Sequence, residues 1–341
     1  MFRQTIGETG PRSVRAIIGI SILLAATAGM ETIGARGLAP QLGPDDQVCD
    51  DPTDSMSLFA ERLKNGKIGY GRTRNSARIP GPTIQMEEGD CLQINLVNDT
   101  DERLSFHPHG VDYTVASDGT RLNNSCVEPG RARTYVVQAH APNTRTDGSI
   151  DPGSAGYWHY HDHCMGTPHG TTGIKKGLFG ALVVRRAGDL RPDRAPHVLV
   201  MQGRSFNLKR APRTPTIKAD LGERVEFIVI GHGELFHTFH LHGHRWADNR
   251  TGVLRSPADE TPIIDNRVVG PADSFGFQVI AGEHVGPGAW MYHCHVQGHS
   301  DAGMAGIFAV RDPDGTLSKG TRDALRSWSG EHGGAGSHHG G

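Results

Sequence analysis

The stretch His293-Cys294-His295, followed by His299 and Met304, places one thiol between two imidazoles and adds a third imidazole and a thioether close behind. In an extended strand, successive side chains point to opposite faces. Cys294 is therefore predicted to face one way, while His293 and His295 face the other. One short strand can thus serve two metal centres, and this mixture of soft ligands is typical of trigonal copper sites.

Histidine pairs elsewhere in the chain strengthen this interpretation. The chain contains 20 histidines. Ten of them belong to the stretch above or to three similar groups, namely His107-Pro108-His109, His161-Asp162-His163 and His237-Thr238-Phe239-His240-Leu241-His242. A single His-x-His pair is commonly two surface residues of a strand. Four pairs together with Cys294 favour metal binding.

The motifs recur as an internal repeat. Pro82-Thr83-Ile84 returns as Pro215-Thr216-Ile217, and the same spacing carries the pair at 107 and 109 onto the pair at 240 and 242. The run 158–163 likewise matches 290–295. In this alignment Asp162 replaces the cysteine, His159 lies opposite Met291 and Cys164 lies opposite Val296. The first repeat is therefore predicted to lack a thiolate site, and His159 and Cys164 are not expected to be ligands.

The local patterns predict an all-β fold. Runs such as 91–97 and 225–230 are apolar and β-branched and are bounded by turn residues, as in strands of Greek-key β-sandwiches. We expect two such domains in tandem, at residues 45–186 and 198–312, joined by a charged, proline-containing linker at 187–197. Residues 313–341 end in a Gly/His-rich run and are predicted to be a disordered tail.

The N-terminus predicts export. Arg12 and Arg15 precede an apolar run at 16–28, so residues 1–40 are expected to be an export signal and a flexible N-terminus, with a retained anchor as the alternative. The protein is then secreted or periplasmic, with no stable membrane partner expected and the export route open. Its net charge of −2 gives no indication of nucleic-acid binding.

Export permits disulfides. The four other cysteines can pair in three ways or remain buried thiols, and the sequence leaves the choice open; they are Cys49, Cys91, Cys126 and Cys164.

The ligand types indicate redox chemistry. Cys294, His237 and His299 form a trigonal set, with Met304 as a weak axial ligand, which suits one-electron transfer. The other eight histidines are too many for one ion and suit a cluster of three coppers. Four coppers hold the four electrons that reduce dioxygen to two waters. The backbone bonds from Cys294 to His293 and His295 connect the thiolate site, which accepts electrons, to the cluster.

These motifs, including His107-Pro108-His109-Gly110 and His293-Cys294-His295-x-x-x-His299-x-x-x-x-Met304, resemble those of multicopper oxidases. The two-repeat length, with thiolate-site ligands in the second repeat alone, is similar to the bacterial two-domain (small) laccases, over roughly residues 45–312. The resemblance implies cupredoxin domains and oxidation of phenols or aromatic amines by dioxygen. The natural reductant and the redox potential stay open.

The resemblance also implies individual roles. His107 and His240 would hold a type 2 copper, and the type 3 pair would be held by His109, His161, His163, His242, His293 and His295. Asp118 and Tyr113 would act near the cluster as proton donor and radical residue, although a plain turn and a packed tyrosine are the alternatives. The family forms homotrimers with clusters between neighbouring subunits, whereas the sequence alone leaves open whether ligands combine within or between chains. The additional cysteines depart from the family pattern.

Two other functions are compatible with copper. A two-domain copper nitrite reductase would need its thiolate site in the first repeat, where Asp162 stands, and would not need four histidine pairs. A copper carrier or tolerance protein would not need redox-coupled sites, although oxidation of cuprous ion could still be the physiological task.

Overall fold

The computed structural model describes residues 47–333; the expected export signal lies outside them, as do residues 334–341. The first half of the chain forms ten strands and one short helix: β1 (Asp54–Arg62), β2 (Ile68–Gly71), β3 (Ile84–Glu87), β4 (Cys91–Asn98), β5 (His107–Pro108), β6 (Ala132–Gln138), β7 (Asn143–Thr144), β8 (Ile150–Asp151), β9 (Gly156–His161), α1 (Thr171–Lys176) and β10 (Phe179–Arg185).

The second half forms eleven strands and two helices: β11 (His197–Gln202), β12 (Ser205–Phe206), β13 (Thr216–Ala219), β14 (Arg224–His232), β15 (His237–Leu241), β16 (Trp246–Ala247), β17 (Ile263–Ile264), β18 (Asn266–Val269), β19 (Ser274–Ile280), β20 (Gly288–Cys294), α2 (Gln297–Ser300), β21 (Ala305–Val310) and α3 (Lys319–Gly333).

The two halves have the same strand order. In the first, β2-β1-β4-β6 faces β3-β10-β9-β5; in the second, β12-β11-β14-β19 faces β13-β21-β20-β15, with β18 added at the edge. The parallel pairs β1/β4 and β3/β10 correspond to β11/β14 and β13/β21. Each sandwich encloses its own apolar core. The predicted all-β fold with two sandwich domains is confirmed.

A tyrosine anchors the strand that carries the histidines in each domain. The Tyr160 hydroxyl donates to the carbonyl oxygen of Pro82 at 2.7 Å, and Tyr292 donates to Pro215 at 2.6 Å. Both tyrosine rings are fully buried. The Pro-Thr-Ile motif therefore ties β3 to β9 in the first domain and β13 to β20 in the second.

The domains pack against each other through their outer sheet faces. Tyr157, Phe179 and Val183 of the first domain meet Ile228 and Ile230 of the second in one buried cluster. At Gly276 a side chain would collide with the Tyr157 ring, because a Cβ atom there would lie 2.2 Å from it. The interface is therefore close-packed.

A buried polar network crosses the same interface. Arg185 of the first domain donates to both carboxylate oxygens of Glu226 in the second, at 3.0 and 2.6 Å. Tyr157 and Gln278 donate to Glu226 Oε1 at 2.7 and 2.9 Å. Because both charges are buried, removing one partner would leave an unpaired ion, which typically costs about 3–5 kcal/mol.

Two disulfides answer the question of cysteine pairing. Cys49 is bonded to Cys91, and Cys126 is bonded to Cys164, while Cys294 is a buried free thiol. The first bridge ties the segment before β1 to β4. The second joins the loop before β6 to the segment that follows His163.

The tail differs from the prediction of disorder from residue 313. Helix α3 covers residues 319–333, and Trp328, 7% exposed, packs with Leu325 against Ile307 on the outer face of β21. Burial of this apolar stripe stabilises the helix, because short helices in water depend on tertiary packing. Among residues 47–333, no helix is long and apolar enough to cross a bilayer.

Candidate metal centres

The thiolate site lies inside the second domain. His237 and Cys294 are fully buried and His299 is 9% exposed. The Cys294 sulfur lies 3.9 Å from Nδ1 of His237 and 3.5 Å from Nδ1 of His299. Met304 is buried beside them, and its carbonyl oxygen accepts a hydrogen bond from the Cys294 amide at 3.1 Å. His237, Cys294 and His299 therefore converge on one buried point, and the backbone of Met304 adjoins it.

Burial keeps these imidazoles neutral. It lowers the pKa of His237 to about 4, with a smaller contribution from His299. A metal ion binds neutral imidazole and thiolate, so the unprotonated form is the competent one. His237 Nε2 is buried without a hydrogen-bond partner in the described part of the chain.

The first-domain histidines form a second group. His107 on β5 is directly paired with His161 on β9. His109 Nε2 lies 3.1 Å from His161 Nε2, and the ring of His163 lies 5.0 Å from that of His107. Burial, together with the neighbouring imidazoles, lowers the pKa of His109 to about 4.

The second-domain histidines repeat this arrangement. His240 on β15 is directly paired with His293 on β20. His242 Nε2 lies 3.2 Å from His293 Nε2, and the His295 ring lies 5.2 Å from that of His293. Since Cys294 is buried between them, the predicted alternation of side chains across β20 is observed.

A backbone carbonyl orients the first histidine of each group. His107 Nδ1 donates to the carbonyl oxygen of Asp118 at 2.6 Å, and His240 Nδ1 donates to that of Asp265 at 2.8 Å. Both bonds leave Nε2 free to bind a metal, as in most metal-ligating histidines. The role of Asp265 was missed at the sequence level because the loop that carries it is longer in the second repeat.

Glycines close both His-x-His-Gly motifs. Gly110 and Gly243 have φ of 75° and 70°, a conformation that favours glycine. A Cβ atom at Gly110 would lie 2.0 Å from the Trp158 ring, and one at Gly243 would lie 3.0 Å from Trp290. The tryptophan of each domain therefore packs directly against the turn that follows the histidines.

Asp118 and Tyr113 both lie beside His107. The Asp118 carboxylate accepts hydrogen bonds from Thr120 and Asn123, and its Oδ1 lies 3.5 Å from His107 Nδ1. The Tyr113 ring centroid lies 6.1 Å from that of His107. Burial, and then the charge of Asp118, raise the pKa of Tyr113. Their chemical roles stay predictions.

Asp162 occupies the first-domain position that corresponds to Cys294. Its buried carboxylate accepts backbone hydrogen bonds from Ser105, Cys164 and Met165 at 2.7, 3.2 and 2.8 Å. Burial nevertheless raises its pKa to about 7. A Cβ atom at Gly173 would lie 2.2 Å from it, so the space is filled. The described residues offer no second thiolate site.

Two further buried histidines were not assigned from sequence. The His159 ring stacks on the His109 ring with 4.0 Å between the ring centroids. The ring of His232, at the end of β14, has its centroid 5.0 Å from that of His159 and 5.5 Å from that of His161. Burial lowers the pKa of His232 to about 3. Neither belongs to the donor groups of the described residues, and both rings pack against the first-domain ligands.

The two imidazole groups are separate within one chain. Three groups of donors can each hold an ion among residues 47–333: His107, His109 and His161; His240, His242 and His293; and His237, Cys294 and His299. No ring contact in this part of the chain joins the first-domain ligands to the second-domain ligands.

The donors fit copper. Thiolate and imidazole are the ligands that copper prefers, and the two Nδ1 atoms point at the buried sulfur without another acceptor between them. Met304 is the soft group available as a weak axial ligand. The Nε2 atoms left free in the other groups suit copper equally.

Comparisons with known proteins agree with this chemistry. Two family models described as "Multicopper oxidase" match residues 73–189 and 190–314. The chain is 33% identical over 267 residues to a probable nitrite reductase-hydroxylamine oxidoreductase fusion protein of Kuenenia stuttgartiensis, covering 72% of this chain and 29% of that protein. It is 29% identical over 123 residues to Laccase-7 of Arabidopsis thaliana, covering 35% and 18%. The chain thus matches less than a third of either relative.

A solved structure shares the fold. The blue copper oxidase from Nitrosomonas europaea superposes with a TM-score of 0.56 at 22% identity, covering 76% of this chain and 86% of that one. At this identity the likeness establishes the arrangement of two cupredoxin domains and no further property.

Proposed function

Because the chain belongs to the multicopper oxidase family, with two domains, we propose that it is a laccase-type oxidase of phenols or aromatic amines. One observation carries the proposal. The Cys294 sulfur lies inside the second domain, and its sequence neighbours His293 and His295 lie in an imidazole group on the other face of the same strand.

The proposed copper content is four per chain. Cys294, His237, His299 and Met304 would hold a type 1 ion; His107 and His240 a type 2 ion; and the other six histidines a type 3 pair. When bound, four coppers supply four one-electron carriers, the number needed to reduce dioxygen to two waters. The residues around them hold the imidazoles neutral and oriented, and Asp118 would deliver a proton beside His107.

The proposed assembly is a homotrimer whose subunits share each cluster. It is supported by the separation of the two imidazole groups within one chain. Exposed apolar residues flank both groups: Val115 and Leu122 near Asp118, and Val268 and Val296 near His295. Exposed apolar surface of this kind marks interaction sites. A head-to-tail ring would bury both patches in one repeated interface.

Complementation tests the shared site. His107→Ala and His240→Ala each inactivate one half-site, so each variant alone should be inactive. In randomly mixed trimers about a quarter of the clusters would combine two intact halves, and co-expression should restore roughly that fraction of activity. Absence of recovery in verified mixed trimers would show that each site forms within one chain.

Oxygen uptake tests the activity. With phenols and aromatic amines, the copper-loaded protein should consume one dioxygen for every four one-electron donors oxidised, with about four coppers per chain. Cuprous ion belongs in the same panel, since its oxidation is the alternative task. The related fusion protein's name makes nitrite reduction the second candidate. Nitrite consumption without oxygen uptake, with close to two coppers, would favour that activity instead.

A further inference from the structure

A cleft lined by positive charge lies beside the thiolate site. It has a volume of about 840 Å³, and its five cations are Lys67, Arg204, Lys209, Arg210 and Arg213. No carboxylate lines it, and within residues 47–333 none of the five forms an ion pair. By contrast, Arg185 at the interface between the two domains forms an ion pair with Glu226. We refer to this feature as the cationic cleft.

The cationic cleft adjoins the ligands of the thiolate site. A Cβ atom at Gly303 would lie 3.2 Å from Cβ of Arg210, and the Ala211 amide donates to the Gly303 carbonyl at 2.8 Å. The wall of the cleft therefore packs against the segment that ends in Met304.

The cleft is preformed by a rigid turn. Asn207 and Leu208 both have positive φ, at 52° and 59°, which is unfavourable for leucine. The Asn207 side chain accepts from the Val200 amide at 2.7 Å and donates to the Val198 carbonyl at 2.9 Å. Strained turns that are held in this way tend to occur at functional sites.

We propose that the cationic cleft binds the electron donor, and that this donor is a small aromatic reductant carrying a carboxylate or sulfonate. Arg204 and Arg210 hold its acidic group. A volume in the range of small-molecule sites favours such a compound over a protein partner. The inference rests on the proposed oxidase function and names its substrate class.

The redox step balances with the reactants of the proposed oxidase. Each phenolic donor loses one electron to the thiolate site and its hydroxyl proton to solvent, and it leaves as a neutral radical at the ring. Four such donors and one dioxygen therefore yield four phenoxyl radicals and two waters, and the four protons released by the donors are taken up in the waters.

A matched pair of substrates tests the inference. Sinapate carries a carboxylate, and its methyl ester has the same phenol without the charge. In Arg204→Gln/Arg210→Gln the ratio of kcat/KM for sinapate to that for the ester should fall about tenfold. The variant removes two exposed charge contacts, each worth up to roughly fivefold, and their effects multiply. The control Arg131→Gln/Lys64→Gln removes the same charge from exposed sites outside the cleft and should leave the ratio unchanged.

A binding measurement separates the two proposals. Trimethoxycinnamate has no oxidisable hydroxyl, and calorimetry should show it binding the copper-loaded protein about tenfold more weakly after the double substitution. Unchanged binding and an unchanged kcat/KM ratio would overturn the cleft assignment even if phenols are oxidised. An effect of these arginines only on reduction by an acidic protein would overturn it too. Normal binding without oxidation of any phenol would support the cleft and contradict the oxidase function.

Discussion

His240 donates a hydrogen bond from Nδ1 to the carbonyl oxygen of Asp265 at 2.8 Å, as His107 donates to Asp118 at 2.6 Å in the first domain. A main-chain oxygen therefore fixes the ring in both domains, and the aspartate side chain is not needed for this purpose. The two carboxylates can consequently be changed without removing the bond that orients the imidazole.

Replacing each aspartate by asparagine separates proton delivery from orientation. In Asp118→Asn we expect dioxygen-dependent turnover to fall about 100-fold, because a positioned acid typically contributes that much or more. Anaerobic reduction of the thiolate site should stay unchanged in stopped-flow measurements. Asp265→Asn is the matched control, since its side chain is 63% exposed, and it should change turnover by less than about twofold. Equal losses in the two variants would contradict a proton role for Asp118.

Cys294→Ser should remove the intense visible absorption of the copper–thiolate bond and stop phenol oxidation. Serine keeps the size of the side chain but is a poor ligand for a soft metal. The eight outer histidines are unchanged, so metal analysis should show the loss of about one copper per chain. Phenol turnover at the wild-type rate would contradict the assignment of Cys294 as the entry point for electrons.

The disulfide between Cys126 and Cys164 should affect both stability and copper retention. His107 is connected to this bridge through residues 118–120. Thr120 at the end of that segment pairs with His163. The residue after His163 is Cys164, which is bonded to Cys126. Replacing both cysteines by serine opens a loop of 38 residues, which should cost about 3–4 kcal/mol in unfolding experiments. We expect the variant to lose copper from the imidazole cluster on dialysis against a weak chelator.

The bridge between Cys49 and Cys91 provides the control. It closes a loop of similar size, with a sequence separation of 42 between its cysteines. Its removal should cost about as much stability, by the same entropic argument, but leave copper retention unchanged. Equal copper loss from both variants would assign the effect to general destabilisation.

The ion pairs of His140 are expected to make a pH-dependent contribution to the free energy of unfolding. Burial opposes its charge, but hydrogen bonds with Asp151 and Asp112 raise the pKa of His140 above its usual value of 6.5. The stabilisation is therefore fully present below about pH 6.5 and is lost as the pH rises through the higher folded-state pKa. Because the ring is 34% exposed, we expect no more than about 1 kcal/mol.

Denaturant unfolding of the wild type and His140→Gln checks this contribution. The difference in free energy of unfolding should be largest near pH 6 and should shrink towards pH 9. A difference that grows with pH would show that the folded-state pKa of His140 is not raised.

Most of the thiolate site was predictable because Cys294, His299 and Met304 are close in sequence and the strand around Cys294 has a two-residue period. Cys294 and His293 need only that geometry to face opposite ways. His237 is 57 residues from Cys294 and was found only through its own histidine motif. The role of Asp265 was not predictable, because it depends on a loop that differs in length between the repeats. The pairing of Cys126 with Cys164 depends on distances that only the folded chain defines.

Features assembled from distant segments also escaped the sequence. The cationic cleft combines Lys67 of the first domain with Arg204 and Arg210 of the second, and no local pattern connects them. Helix α3 was obscured by the Gly/His-rich end of the chain, although Leu325 and Trp328 provide its apolar stripe. In both cases tertiary packing, and not local composition, decides the outcome.

The contact between Arg185 and Glu226 has a consequence for protein engineering. If the chain were cut at the linker, the Glu226 carboxylate of the second half would lose its Arg185 partner. The aliphatic side chains around it, including Ile228 and Ile230, would become exposed to solvent. Such fragments would adhere to one another instead of remaining in solution. The halves are therefore suited to being exchanged between homologues only as an inseparable pair.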